Sequence, residues 1–532
     1  MSNGTNPTPT RRPQPIILVR GFGGLGIADE KRVAYQGFND GTVYPQKRGE
    51  NYIYEGLILR FLKSNWEYQD ATNVVGYYSQ VVKEAAPIPD ELKDFADFFA
   101  GSKVVVDPAM ALHLLETTKD VARTLWVFRY YDLDDRTFPA YGAALVRLID
   151  FIRRLAALTQ QAGPAPKVNI IAHSMGGLLV REALQRTYPT DGRQAADYVN
   201  KVVTLGTPHR GIAFQLLQDW IGIGAEEELE HFNPDFQEDP NNPGAYLHLG
   251  EHFPLERLLT VVGTNYRTYG NVASSLANRL FALAGEFGPN YNRSDGLVKQ
   301  TSAQIPGAPR TFVHKCHGGP DSLVTSREAF EVATRFFFGD THARLRLVTA
   351  RVTRGLDWFG KSEVFLGVSI KPRRVDFDLF HQSAEAENCY GPFRDEDLRP
   401  DAEVAFPMGK DGLLWEGWLD TRAAPRGRHG HPDDLVMRLD VYVGERDLLG
   451  VGFSDNVIFR KQYYLQALLP QPGSDAPLQL LLHDGEGFTE QQRLATAQEC
   501  QPVEGEWQFR VQGTGFTGTF RVELERVPED GA

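Results

Sequence analysis

"KVNIIAHSMGGLLVREAL", residues 167–184, passes from an apolar run through a cluster of small residues to a second apolar run, with Ser174 in the middle. "VNIIA" (168–172) has the length and composition of a buried strand, and "GLLVREAL" (177–184) opens a helix almost at once. A strand-to-helix turn this abrupt strains the residue at its apex and brings neighbouring segments close, which the small residues Ala172, Gly176 and Gly177 permit. Two readings compete for Ser174: a helix-capping serine, or a nucleophile held up at a helix N-terminus where developing negative charge is favoured. Small-x-Ser-x-small is common enough to arise by chance, so the rest of the chain has to choose.

The flanking pattern fits a nucleophile. Short apolar runs at "PIILV" (15–19), "TLWVF" (124–128), "VNIIA", "KVVTL" (201–205), "LLTVV" (258–262) and "TFVH" (311–314) read as buried strands. Between the second and third, Leu145, Leu148, Ile149, Ile152 and Leu155 share one helix face, and "GPAPK" (163–167) then resets the chain. The last helix of this region, "SREAFEVATRFFFG" (326–339), ends at a glycine. Strands alternating with amphipathic helices predict an α/β domain over 15–340, a mostly parallel sheet with helices on both faces. Residues 1–14 read as a disordered lead-in.

Activating a serine takes a histidine to accept its proton and a carboxylate to fix the histidine's tautomer, in the chain order Ser, acid, His for this topology. "NRSDGLVKQTSA" (292–303) supplies Asp295 in a turn, and "TFVHKCHGGPDS" (311–322) supplies His317 between the last strand and the last helix. Asp321 is a rival acid, and His314 a rival histidine placed inside the expected strand. An oxyanion hole needs two backbone donors. "ILVRGFGG" (17–24), directly after the first strand, offers the N–H of Phe22, and the turn itself offers that of Met175. His173 and His209 are expected to pack or hydrogen-bond, and "EEELE" (226–230) to form a solvated face. His248 and His252 have i, i+4 spacing without the glutamate of a zinc-protease helix, so no metal site is expected.

With "VRGFGG", "AHSMGGLLVREAL", "VVTLGTPHRG" and "SDGLV…HGG" in hand, the chain resembles the lipase and esterase branch of the α/β-hydrolase superfamily over about residues 15–340. The resemblance implies the α/β-hydrolase fold, a triad of Ser174, Asp295 and His317, ester hydrolysis through an acyl-enzyme, and no cofactor. Two positions depart from the family pattern: Arg20 stands in place of the histidine of the His-Gly pair that often precedes the oxyanion residue, and Ala172 opens the elbow in place of glycine.

Residues 25–100 and 212–256 are rich in aromatics, acids and turn formers, and are expected to form cap or lid elements over the sheet's C-terminal edge. They suggest an apolar acyl pocket and lipid-like esters, with transient contact to a lipid interface. A small-ester carboxylesterase or an acyltransferase would use the same triad. After residue 340 the period changes to two: Trp507, Phe509 and Val511 alternate with Gln508, Arg510 and Gln512, and "TFRVELERV" (519–527) does the same. Less clean alternation marks "VFLGVSI" (364–370) and "VMRLDVYV" (436–443), so 341–532 is expected to be a β-sandwich-like accessory domain. If that domain did the main work, the chain would instead be a binding protein on a hydrolase scaffold.

The 532 residues exceed what one core usually organises, with 42% hydrophobic and 23% charged residues. A net charge of −13 argues against nucleic-acid binding, and Cys316, Cys389 and Cys500 form no CxxC pair, arguing against a disulfide framework. No apolar run approaches the roughly 20 residues of a membrane span. Without a secretory core at the N-terminus, the expectation is a cytoplasmic protein or one exported without a cleaved signal.

Overall fold

The computed structural model describes residues 13–21, 55–75, 88, 90–99, 106–128, 130, 137–159, 164–211, 239–242, 244–266, 293–318, 321–353, 362–372, 375, 377–393, 412–421, 434–447, 456–469, 478–484 and 497–527. Residues 1–12 of the lead-in, Phe22, "EEELE" and much of both expected cap stretches, including 25–54, 76–87 and 212–238, lie outside them.

Seven short strands form one parallel sheet: β1 (Ile16–Val19), β2 (Gln69–Asp70), β3 (Thr124–Phe128), β4 (Val168–His173), β5 (Val199–Leu205), β6 (Leu258–Gly263) and β7 (Arg310–Val313). Their order is β2-β3-β1-β4-β5-β6-β7, so the chain starts near the middle and reverses its direction of growth beside β1. Parallel strands need crossovers. These include α1 (Glu55–Leu62), α2 (Pro108–Thr117), α3 (Phe138–Thr159) and α4 (Met175–Glu182), while α5 (Arg327–Phe338) follows the last parallel strand.

Side-chain alternation divides the sheet between two cores. Ile16, Leu18, Leu125, Val127, Ile171, Val203 and Val261 pack on one face with Leu57 and Phe61 of α1 and Val332 and Phe336 of α5. Ile17, Val19, Trp126, Phe128, Ile170, Ala172 and Val202 pack on the other with Leu145, Leu148, Phe151 and Ile152 of α3 and Leu178 and Leu179 of α4. Covering both faces explains why these strands read as continuous apolar runs instead of alternating ones. Within the 25–100 stretch expected to cap the sheet, residues 55–70 instead supply α1 and the edge strand β2, because Leu57, Phe61 and Tyr68 are apolar enough to be buried.

The C-terminal half is antiparallel throughout. Its strands are β8 (Thr341–Val352), β9 (Ser362–Pro372), β10 (Tyr390–Phe393), β11 (Leu413–Leu419), β12 (Asp434–Asp447), β13 (Asn456–Leu468), β14 (Gln479–His483), β15 (Gln498–Glu499), β16 (Gln501–Val503), β17 (Glu506–Gly513) and β18 (Phe516–Arg526). One sheet runs β10-β9-β12-β13-β14-β15 and the other β11-β8-β18-β17-β16. They face each other across rings such as Phe459 and Phe516, whose centroids are 5.2 Å apart. Buried residues of β18 alternate with half-buried ones through most of its length, as the period-two reading requires. In β9, by contrast, every residue from Val364 to Ile370 is buried, since the segment 377–390 covers its second face; alternation there is lost for that reason.

Helix α5 joins the two halves, and Ser326 starts it by accepting from the N–H of Ala329 at 3.0 Å. Ser326→Ala should lower stability by about 1 kcal/mol. The expected readout is a lower urea midpoint with an unchanged m-value.

Candidate active site

Ser174 follows β4 at the C-terminal edge of the parallel sheet, where open α/β sheets place their ligands. It sits there with φ 54° and ψ −131°, in the left-handed region that few residues other than glycine adopt. Its N–H donates to the carbonyl of Leu205 at 2.9 Å, and its carbonyl accepts from Gly177 at 3.0 Å, which pins the turn at both ends. The close approach is visible in the glycines. A Cβ on Gly21 would lie 2.8 Å from the Cβ of Ser174, and one on Gly176 would lie 2.5 Å from the carbonyl oxygen of Arg20. Although Ser174 precedes α4, its hydroxyl makes no capping hydrogen bond.

It meets a histidine instead. His317 Nε2 lies 2.9 Å from Ser174 Oγ, and His317 Nδ1 lies 2.8 Å from Asp295 Oδ2. With Asp295 as a carboxylate, Nδ1–H must donate to it, which leaves Nε2 as an acceptor for the serine proton. The other carboxylate oxygen, Oδ1, accepts from the N–H groups of Leu297 at 3.0 Å and Val298 at 2.7 Å, so "DGLV" is the turn that fixes the acid's orientation. The carbonyl of Asp295 accepts from the N–H of His317 at 2.8 Å, tying the two loops together at the backbone as well. All three side chains are buried in the described residues.

The rival residues are occupied elsewhere. Asp321 Oδ1 pairs with Lys315 Nζ at 2.7 Å on the surface, and His314 Nδ1 sits 3.1 Å from Thr264 Oγ1. His248 lies against Glu251 at 3.1 Å in a short turn. Of the two expected oxyanion donors, Met175 is the first residue of α4, and Phe22 lies outside the described residues. Among the described residues no group of three His, Cys, Asp or Glu side chains is arranged to hold a metal ion.

Several supports have no local sequence signal. Tyr130 donates its hydroxyl to the carbonyls of Gly21 at 3.0 Å and Arg20 at 3.2 Å, bracing the segment that abuts the elbow. Gly206, at φ +55°, clears space where a Cβ would come within 2.8 Å of Asp295 Oδ2 and 3.2 Å of His317 Nδ1. "VVTLGTPHRG" holds that glycine, yet only the approach of two distant loops gives it a reason. Arg181, buried in α4, donates to the carbonyls of His209 at 2.8 Å and Gly244 at 3.1 Å, and burial lowers its pKa to about 9.

His173, next to the serine, sends Nε2 to the carbonyl of His317 at 3.0 Å, so that nitrogen carries the proton. Burial, with His317 and Arg20 nearby, holds His173 well below the ordinary imidazole pKa. His209 is lowered likewise by burial and then by Arg181, and its Nε2 lies 3.0 Å from Thr204 Oγ1.

Residues 99–243, which carry α2 to β5 and the elbow, match the family model described as a PGAP1-like alpha/beta domain. The parallel seven-stranded sheet between helices, with an elbow serine at the end of β4, is an α/β-hydrolase-like architecture. Among solved structures, the chain is similar to the Bacillus licheniformis lipase BlEst2 at 16% identity and a TM-score of 0.30, over 59% of this chain and 88% of that one. It is similar to the metagenomic carboxyl esterase MGS0156 at 14% identity and a TM-score of 0.29, over 62% and 76%. For the phospholipase PlaB from Legionella pneumophila the values are 14%, 0.24, 63% and 82%. Comparison with curated proteins gives no match. No helix among the described residues is long and apolar enough to cross a membrane.

A histidine kept neutral in the fold but free to protonate when unfolded costs stability as pH falls. For His173 and His209 the stability is complete above the unfolded value of 6.5 and declines from there down to their lower folded values. The unfolding free energy should therefore fall by up to about 1.4 kcal/mol per pH unit for each of them. Urea titrations between pH 7.5 and 5.5 would read this slope, which should be shallower in His209→Gln; identical slopes would contradict a neutral buried His209.

Proposed function

We propose that this chain hydrolyses carboxylic esters by serine catalysis. The observation that carries the reading is the continuous Asp295–His317–Ser174 relay, at 2.8 and 2.9 Å, ending on a serine whose backbone is strained and whose hydroxyl caps nothing. Ser174 Oγ attacks the acyl carbonyl while His317 Nε2 takes its proton. Asp295 holds the imidazole in the required tautomer and stabilises the imidazolium that forms. The N–H groups of Met175 and Phe22 receive the oxyanion, each contributing about 2.7–4 kcal/mol in the transition state. Collapse of the tetrahedral intermediate passes the proton from His317 to the leaving alcohol, and water then releases the acid by the same route. No cofactor takes part.

The substrate class we assign is lipid-like esters of medium or long acyl chains, on the strength of the aromatic residues in the two cap stretches. A lid of that composition would lie transiently against a lipid interface, and nucleic acid has no role in this reading.

Turnover of p-nitrophenyl esters of graded chain length tests the whole reading. Ser174→Ala should lose activity by a factor of about 10⁴ or more. Activity that rises with acyl length supports a lipid-like substrate, whereas a maximum at acetate or butyrate points to a small-ester carboxylesterase. Full activity in the alanine variant would remove Ser174 from the mechanism.

The acid is tested separately. Asp295→Asn should lower kcat by about 10⁴ through the wrong histidine tautomer, and Asp321→Asn by less than about tenfold. The reverse order would transfer the role to Asp321.

A further inference from the structure

The segment 377–390 belongs to the C-terminal half by its bonding. Leu379 N–H donates to the carbonyl of Ile370 in β9 at 2.8 Å, and Ile370 N–H donates back to Phe380 at 2.8 Å. Gln382 locks it further, with its side-chain oxygen accepting from Val368 N–H at 3.0 Å and its amide donating to the carbonyl of Asn388 at 2.8 Å. Asn388 closes the loop by donating to the carbonyl of His381 at 2.7 Å. Such a cross-braced segment is a rigid bar lying along β9.

The same bar leans on β7, the strand that leads to His317, and on the segment after Asp295. Thr311 of β7 donates its hydroxyl to the carbonyl of Leu379 at 2.6 Å, and His381 N–H donates to the carbonyl of Phe312 at 2.9 Å. The rings of Phe312 and Phe380 meet at 5.4 Å. Strand β7 is the edge of the parallel sheet, and His317 follows it after a few residues, so whatever holds this edge sets where the imidazole sits. On the acid side, Gln300 donates its side-chain amide to the carbonyl of Ala386 at 3.1 Å. The N–H of Gln300 also closes the turn around Asp295 by donating to Arg293 at 2.9 Å. Thr311, Gln300 and Ala386 are all buried, so each lost bond would strand a polar group away from water.

We infer that the C-terminal half is a working part of the candidate site: its segment 377–390 is a clamp that sets the acid and histidine loops in register with Ser174, through the positioning residues Thr311 and Gln300. This inference rests on the ester-hydrolase reading for its catalytic consequence, though not for the clamp itself. It assigns 341–532 a role other than that of a detachable binding module. A misplacement of the imidazole by less than an ångström would weaken proton transfer while leaving ester binding nearly intact.

The test uses the full chain carrying Thr311→Val, Gln300→Met, both together, and Thr311→Ser as the variant that keeps the hydroxyl. Hydrogen exchange in peptides spanning 293–300 and 313–318 reads the clamp without any reaction. In the double variant both should exchange at least about tenfold faster, while a peptide spanning α4 stays as protected as in the wild type. With p-nitrophenyl esters, kcat should fall roughly ten- to a hundredfold with KM within about twofold, and Thr311→Ser should restore it. Unchanged exchange in the two loops overturns the clamp, as does an equal loss of protection in α4, which marks general destabilisation. Wild-type protein that turns over no ester overturns the functional reading instead, and the exchange comparison still decides the clamp.

Discussion

Everything at the sheet's C-terminal edge depends on one strained residue. Ser174 is held at φ 54°, a conformation that costs a side-chain-bearing residue about 1–3 kcal/mol and survives only where the surroundings over-determine it. Here β4 lies between β1 and β5, α4 packs immediately behind, and hydrogen bonds to Leu205 and from Gly177 fix the serine on both sides. That fixed apex points the hydroxyl away from the helix and toward His317. It also leaves no room for a side chain at Gly21, where the Cβ of Ser174 lies, or at Gly176, where the carbonyl oxygens of Arg20 and Val19 lie.

Around that apex the protein spends its buried polar groups on connections between loops. Tyr130 braces the end of β1, His173 reaches the carbonyl of His317, and Arg181 joins the segments at His209 and Gly244. Burial makes each bond matter more, since an unmade one leaves a polar group with no water to replace its partner. The same logic extends to the C-terminal half, where a side-chain amide and a hydroxyl from the parallel sheet end on carbonyls of the segment over β9. A site made of loops thereby acquires the rigidity of the two sheets that flank it.

How much of this could be read in advance varied with the range of the interaction. Strands β3 and β4 stood out as short continuous apolar runs, and helix α5 by its glycine stop, all signals contained within a few residues. Strand β2 has two residues and no period to detect, and α1 lay inside a stretch whose aromatics suggested a cap. Strand β9 blurred its alternation because the segment that follows it folds back and buries its outer face. Tyr130 and Gly206 were silent for a related reason: the groups they serve lie far along the chain from them.

The sequence by itself determined the alternation of strand and helix, the sharp turn at Ser174, and the order in which serine, acid and histidine follow one another. Those features are local, set by side-chain size, polarity and spacing over a handful of residues. Which acid and which histidine meet the serine was decided by tertiary structure alone. His317 and Asp295 are 22 residues apart and His317 and Ser174 are 143 apart, and their contacts exist because the parallel register of β4 to β7 brings those strand ends together. His314 is instead left beside Thr264, and Asp321 turns back onto Lys315, six residues away.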